Sequence, residues 1–405
     1  MSKWEWKKLG EVCSVKCGAT PLKSDKSFWE RGTVPWFTVD DIHEQGRVIN
    51  STKKAVTEKA LKKLTLFPKK TVLLCCTASV GEYAISNIEV TCNQQFNGLI
   101  VRDKNYLDPN YLFHFASTLK EKLLSVSGKT TIDFISNSKV CDIDIPIPPL
   151  SEQKRIVKFL DEEFSKIDTL KTNAETNLKN AKALYQKSLD KIIEDECRRY
   201  TLTSLKEITT TLGSGATPKG GKKIYQTEGI SLIRSMNVLY GSFSYDNLAH
   251  INKKQAKALD GVAIQCADVL FNITGASIAR CCVVPDDVIP ARVNQHVSIL
   301  RPIQKVLNSD YLSVVLLASQ NQKKLLDIGE AGATRQALTK GDLEVFQIPL
   351  PPLSVQKKIV ARLDKLSENV KRLEANYKQI IADCDELKKS ILKKTFEGDS
   401  RSSRE

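Results

Sequence analysis

Residues 145–161 read IPIPPLSEQKRIVKFLD, and residues 348–364 read IPLPPLSVQKKIVARLD, the same phrase at an offset of 203 positions. A spacing this long is not the 20 to 50 residue period of a solenoid. It marks a chain of two related halves, which suits 405 residues, a length at which a single hydrophobic core usually stops growing. After each Pro-Pro-Leu comes Ser151 or Ser354, placed where a serine N-cap would accept a hydrogen bond from an unpaired amide of a first helical turn. From Val157 onward, positions 157, 160, 164, 167, 171, 174, 178, 181, 185, 188 and 192 alternate three and four apart, and all are apolar except Lys171 and Ser188. The second copy keeps the spacing through Ile359, Leu363, Leu366, Val370, Leu373, Tyr377, Ile380, Cys384, Leu387 and Ile391. That is the period of a coiled-coil seam. Helices of about 40 residues would be about 60 Å long at 1.5 Å per residue. So narrow an apolar stripe needs a cover, and the expected cover is the other copy, packed antiparallel.

The segments before the helices are mixed. In the first, VPWFTVDDI, KTVLLCC, YAISNIEVT and FNGLIVR are strand-like, while TEKALKKL and DPNYLFHFAS are helical. The second repeats the order with GISLIRSMNV, DVLFNIT, ARCCVVP and VSILRP as strands, and NKKQAKAL and NSDYLSVVLLAS as helices. Short matches align in sequence: GATP at 18–21 with 215–218, Asn93-Gln94 with Asn294-Gln295, Tyr111-Leu112 with Tyr311-Leu312. The expected architecture is α/β (mixed α+β), two similar domains joined by two long antiparallel coiled-coil helices in a pseudo-two-fold repeat. Its parts are a first domain (1–150), a first helix (151–199), a second domain (200–353), a second helix (354–397) and a disordered tail (398–405).

Sixty-one Lys and Arg against 47 Asp and Glu give a net charge of +14, which favours a polyanionic partner such as nucleic acid. The surplus is shared: by segment it is 5 over 1–150, 1 over 151–199, 4 over 200–353 and 4 beyond. The densest run is STKKAVTEKALKKLTLFPKK, with Lys53, Lys54, Lys59, Lys62, Lys63, Lys69 and Lys70. A Lys run of this kind is also what a solvated face looks like. Eleven cysteines, an odd count with two adjacent pairs and no CxxC, describe neither a disulfide framework nor a zinc site; most should be small core residues. The N-terminus lacks the apolar stretch of a signal peptide and no run of about 18 apolar residues occurs, so a cytoplasmic chain without a membrane partner is expected.

Catalytic chemistry is hard to assemble from these residues. SGKTT at 127–131 ends like a phosphate-cradling loop, yet the glycine required five positions before Gly128 is Leu123, in a helical stretch. GSGATPKGGKK at 213–223 lacks the closing Gly-Lys-Ser/Thr and looks like a flexible connection. The four histidines are too far apart for a zinc pair. Polar loops at matching places in both halves remain. TASVGE (77–82) corresponds to TGASIAR (274–280), Asn93-Gln94-Gln95 to Asn294-Gln295-His296, and SGKTTID (127–133) to EAGATRQ (330–336). Amide side chains can bond adenine bidentately, arginine can bond guanine, and small residues let backbone amides approach phosphate. The candidate DNA contacts are Lys53, Lys54, Lys62, Lys63, Thr77, Ser79, Asn93, Gln94, Lys129 and Thr130 in the first half. In the second they are Lys222, Arg234, Thr274, Ser277, Asn294, Gln295, Arg335 and Gln336. The candidate seam and partner-binding positions are Leu160, Phe164, Ile167, Leu363, Val370 and Leu373.

Two variable mixed domains, each closed by I-P-x-P-P-L-S-x-Q-K and followed by a long helix, resemble over the whole chain the specificity subunit of type I DNA restriction-modification systems. The resemblance implies a non-enzymatic subunit whose two target recognition domains each read one half of a split sequence in double-stranded DNA. It implies helices that space those domains and receive two methyltransferase subunits, with restriction subunits completing the nuclease. S-adenosylmethionine and ATP would then be held by those partners, leaving this chain without a cofactor or metal. A coiled-coil adaptor that binds only proteins would also use the helices, but it gives no reason for duplicated basic domains.

Overall fold

The computed structural model describes residues 4–126, 135–218, 225–330 and 337–397. The described backbone gathers into two compact units, one formed by its residues within 4–174 and 379–397 and the other by those within 175–378. Two long helices, Leu150–Arg199 and Leu353–Glu397, therefore contribute half of their length to each unit. Among the described residues no helix is long and apolar enough to cross a membrane.

Both helices start two residues earlier than serine N-caps would place them, at Leu150 and Leu353. The Pro149 carbonyl accepts from the amides of Glu152 and Gln153 at 2.8 and 3.0 Å, and the Pro352 carbonyl accepts from Val355 and Gln356 at 2.8 and 3.1 Å. Ser151 and Ser354 lie inside the first turn. Proline suits the entry because the amide it lacks would have been unpaired there anyway.

In the first unit a five-stranded sheet runs in the order Cys13–Cys17, Phe96–Val101, Val72–Cys75, Tyr83–Ser86, Val48–Ile49. A three-stranded sheet runs Lys54–Val56, Val34–Phe37, Thr91–Cys92, with Phe37 opposite Cys92 in its parallel pair. Glu5–Lys8 pairs antiparallel with Asp144–Ile147, so the segment returns to where it began. The second unit repeats this scheme. Its larger sheet is Thr209–Ser214, Val297–Pro302, Val269–Asn272, Cys281–Val283. Its smaller one is Ala249–Ile251, Ile230–Ile233, Ala291–Val293, and Leu202–Ser204 pairs with Gln347–Pro349 to close the segment.

Several local expectations are corrected. VPWF is a strand, but Val39–Gln45 is helical, because Thr38 and Asp41 form a reciprocal capping box that turns the chain. TEKALKKL makes only a 3-10 turn, Glu58–Lys62, and NKKQAKAL a single short helix, Lys253–Lys257. GISLIRSMNV stops as a strand at Ile233, and YAISNIEVT splits into Tyr83–Ser86 and Thr91–Cys92. The glycine-rich stretch taken for a flexible connection is partly a strand, Thr209–Ser214, paired with Val297–Pro302.

The long helices are anchored in the cores. In the first unit Leu160 and Phe396, from opposite helices, join Leu9, Val72, Leu99, Tyr111, Leu112 and Phe115. In the second, Leu189, Ile193, Ile359 and Leu363 join Phe271, Leu300, Tyr311 and Leu312. Burying a Leu or Phe side chain contributes about 1.5–3 kcal/mol, so each anchor matters on the scale of a domain's stability. The antiparallel sense is explicit in the first unit: Lys388 pairs with Asp168 at 2.5 Å and Lys171 with Asp385 at 2.7 Å, one series rising as the other falls. Leu160, Ile167, Ala174 and Ala181 are buried at intervals of seven, as are Leu363 and Val370 on the other helix. Beyond Ala181 the buried positions become Leu189 and Ile193, whereas Ser188 and Ile192 are half-buried. An α-helix drifts about 20° per heptad against a strict seven-residue repeat, so the stripe slips by one residue where the helix leaves its coiled partner for the core. Leu387 is half exposed.

Candidate nucleic-acid interface

Each unit brings the GAT tripeptide, the Asn-Gln turn and the loop after the central strand to one place. Two glycines permit this. A β-carbon on Gly18 would overlap the Asn93 carbonyl oxygen, and one on Gly215 would overlap the Val293 carbonyl oxygen. With the backbones in contact, Gly18 donates to Phe96 O at 2.8 Å and Ala19 to Cys92 O at 2.9 Å, while Gly215 donates to Asn294 O at 3.2 Å. The asparagines shape the turns. Asn93 is buried and its Oδ1 accepts from the Gln95 amide at 3.0 Å; Asn294 is buried and its Oδ1 accepts from the His296 amide at 3.0 Å. The middle residues, Gln94 and Gln295, are exposed. The hydroxyl of Thr20 donates to Gln94 Oε1, and that of Thr217 donates to Gln295 Oε1.

The turn is tied to the central strand through Cys76 N to Gln95 O at 2.8 Å, and in the second unit through Ile273 N to His296 O at 3.0 Å. Thr77 and Ser79, and Thr274 and Ser277, follow immediately and stand at the same edge. Thr274 Oγ1 lies 2.6 Å from His296 Nδ1, and Gln295 Nε2 lies 3.2 Å from His296 Nε2. If the amide donates to Nε2, Nδ1 carries the ring proton and donates to Thr274. The second unit thus has a continuous chain of polar side chains, Thr217, Gln295, His296, Thr274. The amide of Asn93 donates to Phe37 O at 3.2 Å and that of Asn294 to Ile233 O at 3.0 Å, which puts Thr38 and Arg234 at equivalent places beside the turns. Arg234 is half-buried, its guanidinium 5.4 Å from the Tyr225 ring, with one terminal nitrogen donating to Asn247 O.

Sequence reasoning did not single out Arg280, whose guanidinium lies 5.4 Å over the exposed ring of Tyr240. Nε of Arg280 and Nε of Arg234 are buried donors without a hydrogen-bond acceptor. The available signal was weak: a run of aromatics, Tyr240, Phe243 and Tyr245, and a lone arginine closing the loop after the central strand. In the first unit the place of Arg280 is taken by Glu82, held by Arg47 at 3.0 Å. The thiols nearby are structural: burial pushes Cys75 and Cys92 up, and Cys76 up to about 12, so all three stay protonated. Among the described residues no three His, Cys, Asp or Glu side chains gather as a metal site.

Lys53, Lys54, Lys62 and Lys63 are all exposed. They do not form one helical face. Lys53 pairs with Glu44 at 3.1 Å, Lys63 lies 5.4 Å over Phe28, and Lys54 lies 6.0 Å over Trp36, whose indole donates to Ala19 O at 3.2 Å. Lys54 is therefore the lysine joined to the GAT segment. Replacing the four by alanine is expected to flatten the salt dependence of DNA binding by about 0.9 in the log–log slope for each phosphate left without its lysine, with sequence preference retained. Titrations at several salt concentrations check this, and an unchanged slope would show a solvated surface only. Lys129, Thr130, Lys222, Arg335 and Gln336, and the tail 398–405, lie outside the described residues.

Of the seam candidates, Leu160, Ile167, Leu363 and Val370 are buried, and Phe164 and Leu373 are half-buried. The four buried ones hold the fold and have no surface to offer a partner. The exposed apolar side chains of these helices are instead Phe159, Leu170, Leu184 and Leu387. Another residue of the repeated phrase, the glutamine, is used in the same way in both units. Gln153 is fully buried; its Oε1 accepts from Asp108 N at 2.8 Å and its Nε2 donates to Tyr106 O at 2.9 Å and Pro148 O at 2.8 Å. Gln356 repeats this with Asn308 N at 2.8 Å, Val306 O at 2.8 Å and Pro351 O at 2.7 Å. Tyr111 Oη donates to Pro146 O at 2.8 Å and Tyr311 Oη to Pro349 O at 3.0 Å.

Fold and site define a class: a duplicated α/β unit carried on two long helices, presenting paired polar turns. A family model of the type I restriction modification DNA specificity domain matches twice, at residues 1–180 and 198–382. The chain belongs to that family. It is 24% identical over 421 residues to the type I restriction enzyme MjaIX specificity subunit of Methanocaldococcus jannaschii, a match covering 98% of this chain and 94% of that one. It is 32% identical over 167 residues to the EcoprrI specificity subunit of Escherichia coli, covering 39% of this chain and 41% of the relative. In fold it is similar to the HsdS subunit from Thermoanaerobacter tengcongensis, with a TM-score of 0.63, 20% identity and coverage of 98% and 97%. A chain from a solved structure of a type I R-M system gives a TM-score of 0.76 at 21% identity, covering 98% of this chain and 99% of that one.

Proposed function

We propose that this chain is the non-catalytic DNA-recognition subunit of a type I restriction-modification complex. Each unit reads one half of a bipartite duplex target, and the two half-sites differ. The observation that carries this reading is the polar turn, built in both units from a close-packed glycine, a buried asparagine and a Thr–Gln pair but set among different neighbours: Thr38, Gln95 and Glu82 in one, Arg234, His296 and Arg280 in the other. One architecture with two sets of contacting groups is what two dissimilar half-sites at fixed separation require. Two methyltransferase subunits dock on the exposed faces of the long helices, where Phe159, Leu170, Leu184 and Leu387 supply apolar area, and restriction subunits complete the assembly. S-adenosylmethionine and ATP are held by those partners.

Mapping methylated bases in DNA from cells that express this chain with its methyltransferase tests the reading. The expected result is a split, asymmetric sequence with an adenine modified in each half and an unread spacer. The purified chain is expected to show no methyltransferase, nuclease or ATPase turnover. A continuous target, or turnover abolished by a point substitution in this chain, would overturn it.

A further inference from the structure

The Thr–Gln pair is the most closely repeated chemical feature of the two units. Thr20 with Gln94, and Thr217 with Gln295, have the same donor, the same acceptor, the same glycine two residues before the threonine and the same buried asparagine beside the glutamine. The groups around the pair are not shared. This inference rests on the DNA-recognition reading, and under it a residue that is identical in both units, with an identical partner, cannot encode the difference between two half-sites.

The hydrogen bonding points the same way. Bidentate recognition of adenine needs the amide oxygen to accept from N6 while the amide nitrogen donates to N7. Here the amide oxygen is turned back to the threonine hydroxyl, which takes one of its two lone pairs in both units. What each exposed glutamine offers outward is the Nε2 donor. In the second unit that nitrogen also meets His296 Nε2 at 3.2 Å, which leaves one hydrogen to give. An acceptor available at every nucleotide, whatever its base, is a phosphate oxygen, and contacts of this kind set register on the duplex without reading it.

We propose that Thr20–Gln94 and Thr217–Gln295 are phosphate grips, one in each unit, that seat the duplex backbone, and that base reading falls to the dissimilar neighbours. The threonine takes one lone pair of the amide oxygen and holds that oxygen toward itself, which fixes the rotamer and turns the Nε2 hydrogens toward the backbone. Gln94 and Gln295 are neutral, so their removal takes away a hydrogen bond without changing the number of released counterions.

The test uses the chain assembled with its methyltransferase. Gln94→Ala and Gln295→Ala should each weaken binding by about tenfold, the effect of losing a hydrogen bond to a charged group. The weakening should be equal on target and unrelated DNA, with the salt slope and the methylated sequence unchanged. Both side chains are exposed, so the truncations open no core. A single neutral methylphosphonate placed in turn along each half-site should weaken wild-type binding at one position that no longer matters in the matching alanine variant. Thr217→Ser should behave as wild type and Thr217→Val as a weakened binder. Relaxed preference at one base pair, with binding to unrelated DNA unaltered, would make the glutamine a base reader and overturn the proposal. Alanine variants equal to wild type on every DNA would also overturn it. A wild-type complex with no sequence preference would instead overturn the DNA-recognition reading beneath it.

Discussion

Gln153→Leu is expected to lower the stability of the first unit by about 3–5 kcal/mol, although leucine nearly matches the volume of glutamine. The side chain is fully buried and engages three backbone groups: the Asp108 amide and the carbonyls of Tyr106 and Pro148. A net contribution of about 1 kcal/mol for each of the three hydrogen bonds sets the lower bound, and the upper bound applies where one backbone group stays buried without a partner and costs about 3 kcal/mol instead. The Asp108 amide is the worst placed of the three, because its residue caps the helix Pro109–Ala116 and is held by the chain on both sides. Gln356→Leu should cost the second unit a similar amount, since its partners and distances match. Two units need not melt together, so the measurement is unit-resolved: hydrogen exchange or limited proteolysis against urea, followed for peptides of each unit. A destabilisation below about 1 kcal/mol would show that the glutamine is solvated in solution and does not clamp the helix start.

Replacing residues 1–145 by a second copy of 200–348 is expected to convert the asymmetric target into a palindrome built from the second half-site, with the spacer nearly unchanged. On the proposed reading each unit carries its own base-contacting groups, so copying the unit copies its half-site. The structure favours the exchange because both segments enter and leave through paired strands. Glu5 lies opposite Ile147, and Leu202 lies opposite Pro349. The incoming Asn308 and Tyr311 meet Gln153 and Pro146 as Asp108 and Tyr111 did. The core packing changes at Phe396, which packs on Tyr111 and Phe115 and would meet Tyr311 and Val315. That substitution costs an aromatic pairing of about 0.5–1.5 kcal/mol, a reduction in stability without consequence for base reading. Methylation mapping decides the result. A target whose two halves both change identity would show that the units do not read independently.

Most of the scaffold was legible in the residues because its signals are local or periodic. The doubled proline phrase announced two halves, and the three-four alternation announced two long helices with their seam, since helical geometry converts spacing directly into a shared face. The order of strands and helices followed from hydrophobic runs. Errors came where one side chain outweighed the pattern: Thr38 with Asp41 turned a strand-like run into a helix, and Pro149 took the cap assigned to Ser151. The seam slipped from Ser188 to Leu189 because the globular core, and not the coiled partner, covers the end of that helix. GATP and Asn-Gln were visible as repeated words, yet no spacing rule joins Thr20 to Gln94 or Thr217 to Gln295. Only the folded backbone, with Gly18 and Gly215 pressed on the turns, brings those pairs together. The same holds for Gln153 and Gln356. Sequence showed that they recur, and tertiary structure showed their use: a buried amide can satisfy three backbone groups that neither the strand nor the helix beside it can reach.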